Sequence, residues 1–330
     1  IKTMKPEDTM CSAFWKHTNI RSGNNIFPCC RFKYPVAKFD GDVEKILHLP
    51  VYEQLRHDSA NGIPIKGCAK CYQEDRQGKE ILPNEVKAGA STRREFNEHY
   101  TTDSVQLEYL EAGFDNICNL MCVMCSGVYS NKWANAENPN VSPKLNIKDT
   151  DEFVNIPDTI THVEFLGGEP FMTNRHKTFI QKLKDPSKVS VVYNTNATFM
   201  LDKSTIELLQ QCKEVFFYVS IDAYGELNDK VREGSKWEDI ENFLQQLKQL
   251  NFKFQIHSVL HTENWKGFTD LEQWIEENDF NWRIMACTYP PNLDPASLNQ
   301  VDKTKLINII NDSYIPNKDY FIEHLTSKEN

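Results

Sequence analysis

No run of about eighteen apolar residues occurs in the 330-residue chain, so no membrane-crossing helix is expected. The first residues, Ile1-Lys-Thr-Met-Lys-Pro-Glu-Asp8, lack the apolar stretch of a signal peptide, and Ile rather than an initiator Met stands first, as if a few residues were missing or removed. Basic charge is in short supply. Against 47 Asp and Glu there are 37 Lys and Arg, a net charge of −10, which disfavours a protein that grips bare duplex nucleic acid by its phosphates. The pair Arg93-Arg94 reads as a solvated helix face. The pairing pattern of a secreted disulfide protein is also missing. Of the ten cysteines, eight fall within the first 125 residues at close, metal-type spacings, which points to thiolates on metal in a reducing cytoplasm. A content of 40% hydrophobic and 11% aromatic residues is enough for a sizeable core, in one large α/β unit with an appended module or in two domains.

What is present centres on Cys118-Asn-Leu-Met-Cys122-Val-Met-Cys125, a C-x3-C-x2-C loop. It follows a strand-like run, residues 105–114. A structural zinc site wants four ligands, and so does a ferredoxin-type cluster. Three thiolates without an obvious fourth suit a 4Fe–4S cluster with one iron open to a ligand that is not protein. Downstream, strand-like and helix-like stretches alternate, the pattern of βα units on a parallel sheet. The strands are expected at 161–166, 189–196, 214–222, 252–260 and 281–287, which with 105–114 makes six. The second runs into Gly167-Gly168-Glu169-Pro170, where two glycines let backbone approach a ligand. Residues 237–250 form an amphipathic helix with Trp237, Ile240, Phe243, Leu244 and Leu247 on its buried stripe. Cys212, on a helix over 203–212, reads as a packed thiol. His257 and His261 are candidate acids but more ordinarily polar strand histidines, and Cys287 is a candidate reactive thiol at a strand end. The turn-rich stretch 135–143 is expected over a mouth of the fold, 75–104 as a linker with a surface helix, and a helix over 303–311 as part of a closing tail.

Before the loop come Cys11, the adjacent Cys29-Cys30, and the knuckle Cys68-Ala-Lys-Cys71. A turn at Arg21–Asn25 joins two expected strands, 17–20 and 25–28, and short helices at 42–49 and 52–56 link the ligand pairs. Four thiolates so arranged fit a zinc ribbon or a second iron–sulfur cluster, and the spacing does not separate the two.

Together these motifs resemble the radical S-adenosylmethionine (radical SAM) enzymes, specifically at the C-x3-C-x2-C loop and Gly-Gly-Glu-Pro. The residue before the third cysteine, often aromatic in that family, is Met124 here. The N-terminal cysteines resemble the Twitch module, the shortened relative of the SPASM domain, although it precedes the barrel here and the Gly23-to-Cys29 spacing is one residue longer than usual. The resemblance implies an α/β fold: a partial (β/α)6 TIM barrel over 101–290, a small N-terminal cysteine-rich metal-binding domain over 1–100, and a tail over 291–330 packed on the barrel. It implies that Cys118, Cys122 and Cys125 hold a 4Fe–4S cluster, and that Cys11, Cys29 or Cys30, Cys68 and Cys71 hold an auxiliary 4Fe–4S cluster, with zinc the alternative. It places S-adenosylmethionine against Gly167, Gly168, Glu169, Pro170, Asn194, Asn196, Ser220, Asp222 and Arg232, with Arg232 gripping the methionine carboxylate and Val259 and Met285 nearby. The implied reaction is reductive cleavage of the cofactor to a 5′-deoxyadenosyl radical, which takes hydrogen from substrate. A one-electron donor such as flavodoxin or ferredoxin would feed it. Relatives with these modules often act on peptides, although no peptide-docking winged-helix segment precedes the cysteines here. A small-molecule or nucleotide-derived substrate, and a zinc-stabilised binding protein without activity, are the alternatives.

Overall fold

The computed structural model describes residues 4–76, 105–137, 153–315 and 317–326. The stretches expected as a linker at 75–104, including Arg93-Arg94, and as a loop at 135–143 fall largely outside the described residues; Asn131–Glu137 is helical. Strands in chain order are β1 (His17–Arg21), β2 (Asn25–Phe27), β3 (Ala37–Lys38), β4 (Tyr109–Ala112), β5 (Met121–Cys122), β6 (His162–Phe165), β7 (Ser190–Thr195), β8 (Glu214–Ser220), β9 (Arg232–Glu233), β10 (Lys253–Leu260) and β11 (Trp282–Ala286). The chain is mixed α/β with parallel sheet, and each of the six expected strand stretches contains one strand: β4, β6, β7, β8, β10 and β11. It divides into two compact units, Ile1–Asn116 with Pro143–Tyr193 and Ser204–Val215, and Ile117–Ser142 with Asn194–Lys203 and Phe216–Asn330. No helix of the described residues is long and apolar enough to cross a membrane.

In the first unit β1, β4, β6 and β7 run parallel, in register from His17↔Tyr109 through Tyr109↔His162 to His162↔Ser190. β1 turns back into β2 through Gly23 (φ 77°) and Asn24 (φ 58°), two residue types that tolerate the left-handed region. The hairpin was legible, but its bonding to β4 was not: β1 extends the parallel sheet instead of standing apart from it. The helices expected at 42–49 and 52–56 are instead a short 3-10 turn, Ile46–His48, and one helix, Pro50–Ala60, with proline in its first turn, where the missing N–H costs nothing. Beneath the strands Phe114, Phe153, Phe165 and Phe179 pack ring against ring at 4.5–6.3 Å.

In the second unit β8, β10 and β11 are parallel, and β5 and β9 form a separate two-residue antiparallel ladder. β8 alternates as its sequence does, with Val215, Phe217 and Val219 buried and Phe216, Tyr218 and Ser220 half-buried. The helix Trp237–Gln249 buries Ile240, Phe243, Leu244 and Leu247 at helical spacing; Trp237 is half-buried, edge-on to Trp274 at 4.9 Å. The C-terminal helices, Gln300–Asp312 and Lys318–Thr326, set Leu306, Ile310, Phe321 and Leu325 against Leu260, Ile284 and Ala286 of β10 and β11. Each of those four side chains is fully buried, worth about 1.5–3 kcal/mol apiece.

Candidate functional site

The three-cysteine loop belongs to the second unit, and its backbone is held by side chains around it. The Cys118 N–H donates to Asn131 Oδ1 (2.8 Å), Trp133 Nε1 donates to the Cys122 carbonyl (2.8 Å), and Ser130 Oγ donates to the Leu120 carbonyl (2.8 Å). The Cys125 N–H closes a turn on the Cys122 carbonyl (2.9 Å). β5 pairs with β9 so that Cys122 stands opposite Arg232.

The thiols are met by donors. The Leu120 N–H lies 3.4 Å from Cys118 Sγ, Asn196 Nδ2 3.9 Å from the same sulfur, and Arg232 Nη1 3.9 Å from Cys122 Sγ. Asn196 also donates to Asn119 Oδ1 (2.9 Å) and accepts from the Thr198 N–H (3.1 Å), so its amide is oriented from both ends. Burial pushes the Cys122 thiol up to about 12 against the pull of Arg232, so metal binding there must displace a proton. Donors aimed at sulfur are what thiolate-ligated iron–sulfur centres use to stabilise their charge. The residues present therefore fit such a cluster. Among the described residues no three His, Cys, Asp or Glu side chains converge as closely as a single metal ion requires.

Of the residues expected around S-adenosylmethionine, Asn196 is thus beside a loop cysteine, and Arg232 is committed on two sides. Its Nε lies 2.7 Å from Asp222 Oδ2. The Asp222 side chain, expected beside the cofactor, has no exposed surface: its Oδ1 accepts the Val259 N–H (2.7 Å). Ser220 and Asn194 sit half-buried at the ends of β8 and β7. Val259 and Met285 are half-buried and face each other across β10 and β11. His257 stacks on Tyr218 (4.2 Å) and is drawn down to about 3 by burial and by Arg283, while His261 is fully buried, with its pKa lowered by burial; neither is a ready acid. Cys287 is buried and donates to the Tyr289 carbonyl (3.2 Å), a packed thiol.

Gly167–Pro170 lies in the first unit. Gly167 adopts φ 121°, and a Cβ there would meet the Asp115 carbonyl oxygen at 2.5 Å. The Gly168 N–H donates to that same oxygen (3.0 Å), and Arg175 pins Asp115 through a 3.1 Å ion pair. The Glu169 carboxylate is buried and accepts the Phe171 N–H (3.2 Å), capping the short 3-10 turn Pro170–Met172. Gly167→Ala is expected to cost about 1–3 kcal/mol, because the left-handed backbone and the close approach fall on one residue. An unchanged urea midpoint would show that the turn relaxes freely.

The N-terminal thiols separate by environment. Cys11, Cys29 and Cys68 pack in one cluster with Phe14, Phe32 and Ile65, and burial, with Cys11 next, pushes the Cys29 thiol up to about 12, Cys71 adding to it. Cys30 instead hydrogen-bonds the Glu111 carboxylate. No two of the ten cysteines are joined as a disulfide. Around Glu111, which accepts from Asn19, His17 Nε2 lies 3.6 Å away. Burial draws His17 down to about 3 and, with the Glu164 charge, raises Glu111 to about 8. Sequence reasoning missed Asn119, Asn131, Trp133, Thr198 and this buried group, because no motif marks them.

No curated protein matches the chain. Among solved structures it is similar to a histidine-tagged form of anSMEcpe with bound AdoMet, at 18% identity and a TM-score of 0.43, covering 67% of this chain and 59% of that one. It is similar to Streptococcus suis SuiB bound to S-adenosylmethionine at 15% identity and a TM-score of 0.40, covering 83% of this chain and 63% of that one. The chain thus spans less than two thirds of the length of either. The family model described as the radical SAM superfamily matches residues 114–275, which take in the cysteine loop, Gly167–Pro170 and Arg232. Over those residues the chain carries a radical SAM domain.

Proposed function

We propose that the six parallel strands belong to a partial (β/α)6 barrel over residues 101–290, between an N-terminal cysteine-rich domain over 1–100 and a tail over 291–330. In this reading Cys118, Cys122 and Cys125 bind a 4Fe–4S cluster whose open iron takes S-adenosylmethionine. The observation that carries it is the buried Cys122 thiol, set opposite the Arg232 guanidinium on a loop whose backbone is tied by Asn131, Ser130 and Trp133. Gly167–Pro170, Asn194, Asn196 and Ser220 are assigned to the cofactor, with the glycine backbone approaching it closely and Glu169 holding the turn in shape. When bound, the cluster and cofactor supply an organic radical able to take a hydrogen atom from substrate. Cys11, Cys29, Cys68 and Cys71 are the better set for an auxiliary 4Fe–4S cluster, since Cys30 is turned to Glu111. The substrate is a peptide or protein side chain, as for many enzymes with a Twitch-like module, and a flavodoxin or ferredoxin supplies the electron in a reducing compartment.

Anaerobic reconstitution should give about eight irons and about eight sulfides per chain, with an EPR signal of the reduced protein that changes on adding S-adenosylmethionine. Label from a substrate peptide should appear in 5′-deoxyadenosine. Zinc with no iron after proper reconstitution would remove the reading, and label arriving only from a small metabolite would replace its substrate.

A further inference from the structure

Arg232 and Asp222, both expected on the cofactor, also meet each other, and Arg232 meets a cysteine of the loop. The guanidinium puts Nε 2.7 Å from Asp222 Oδ2 and Nη1 3.9 Å from Cys122 Sγ, with its side chain 10% exposed and that of Asp222 wholly buried. Its position is over-determined. β9 pairs Arg232 with Cys122 through backbone. Asp222 is fixed in turn by the Val259 N–H on Oδ1 (2.7 Å), by Asn228 Oδ1 on its own N–H (3.0 Å), and by Asn264 Nδ2 on its carbonyl (2.7 Å). Asn264 is itself oriented by the His261 N–H on its Oδ1 (2.7 Å). The result is a fixed dipole inside the protein, with its cationic end at the sulfur and its anionic end one residue further away.

We infer that the Asp222–Arg232 pair sets the reduction potential of the cluster held by the three-cysteine loop, with Arg232 acting through Cys122 and Asp222 as the residue that positions and partly offsets its charge. The inference rests on the cluster assignment above. A cluster gains one negative charge on reduction, and a cation held beside its ligand in a low-dielectric surrounding favours the reduced form. Asp222 subtracts from that effect because its carboxylate is held in the same buried region. The two residues therefore pull the potential in opposite directions, which a merely structural pair would not do.

The test is an EPR-monitored redox titration of the reconstituted holoenzyme, with Cys11→Ala/Cys29→Ala/Cys68→Ala/Cys71→Ala as background so that one cluster reports. Wild-type residues at 222 and 232 are compared with Arg232→Gln, Arg232→Lys and Asp222→Asn, each normalised to iron content. Arg232→Gln should lower the ratio of reduced to oxidised cluster at a fixed potential about tenfold, a shift of about 59 mV for one electron. Asp222→Asn should raise that ratio, and Arg232→Lys should fall between Gln and wild type. Shifts of the same sign in the Gln and Asn variants, or no shift at retained iron, would overturn the inference. So would loss of the cluster in all three variants, which would make the pair a structural brace. An absent S-adenosylmethionine-sensitive signal before either residue is changed would instead refute the cluster assignment itself.

Discussion

Replacing Cys118, Cys122 and Cys125 together with alanine is expected to remove about four of about eight irons per chain and to abolish 5′-deoxyadenosine formation, a loss of more than about 10³-fold. The fold should survive, because the loop is built without the thiols. Its hydrogen bonds run from the Cys118 N–H to Asn131, from Trp133 to the Cys122 carbonyl, and from Ser130 to the Leu120 carbonyl, and alanine preserves every backbone group among them. What alanine removes is the set of sulfurs that Asn196, Leu120 and Arg232 address. Iron and sulfide analysis beside far-UV circular dichroism checks both halves. Retention of all the iron with native dichroism would mean that the cluster sits elsewhere. The complementary change of Cys11, Cys29, Cys68 and Cys71 should remove the other four irons and leave the S-adenosylmethionine-sensitive signal.

Asp222→Ala should destabilise the second unit by about 3–5 kcal/mol, since it strands a buried guanidinium without its counter-charge. The carboxylate also takes the Val259 N–H at 2.7 Å, so a backbone donor loses its acceptor as well. The sign of the coupling is as informative as the size. Removing both charges in Asp222→Ala/Arg232→Met should recover most of the loss, because a buried pair replaced by apolar atoms is close to neutral where a broken pair is not. Urea unfolding of the cluster-free protein in a double-mutant cycle measures this without the added stabilisation of a bound cofactor. If the double variant were as unstable as the sum of its parts, the ion pair would not be the cause.

Much of this was legible in the residues. Alternation in Glu214–Ser220 and in Lys253–Leu260 marks strands with one face deeper than the other, and the burial follows it. The helical spacing of Ile240, Phe243, Leu244 and Leu247 is equally direct. What escaped depends on partners distant in sequence. β1 pairs with β4 across about ninety intervening residues, and nothing local to His17–Arg21 announces a parallel neighbour. Cys29 and Cys30 are adjacent and chemically identical. Only the turn that follows β2 parts the one among Cys11 and Phe14 from the one beside Glu111. Asp222 and Arg232 each carry chemistry that suits a cofactor, and their preference for each other follows from the turn that brings β9 back to Cys122. Motifs mark residue types that chemistry needs; they are silent on which of those types satisfy one another.

The packing of the last two helices on β10 and β11 also bears on how the chain is made. Leu260, Ile284 and Ala286 are covered by Leu306, Ile310, Phe321 and Leu325, all of which leave the ribosome after the strands they protect. At about 5–20 residues per second, the apolar side of β11 stays wet for several seconds of synthesis before its cover arrives. The core of the second unit is therefore completed only by the last residues of the chain to be made.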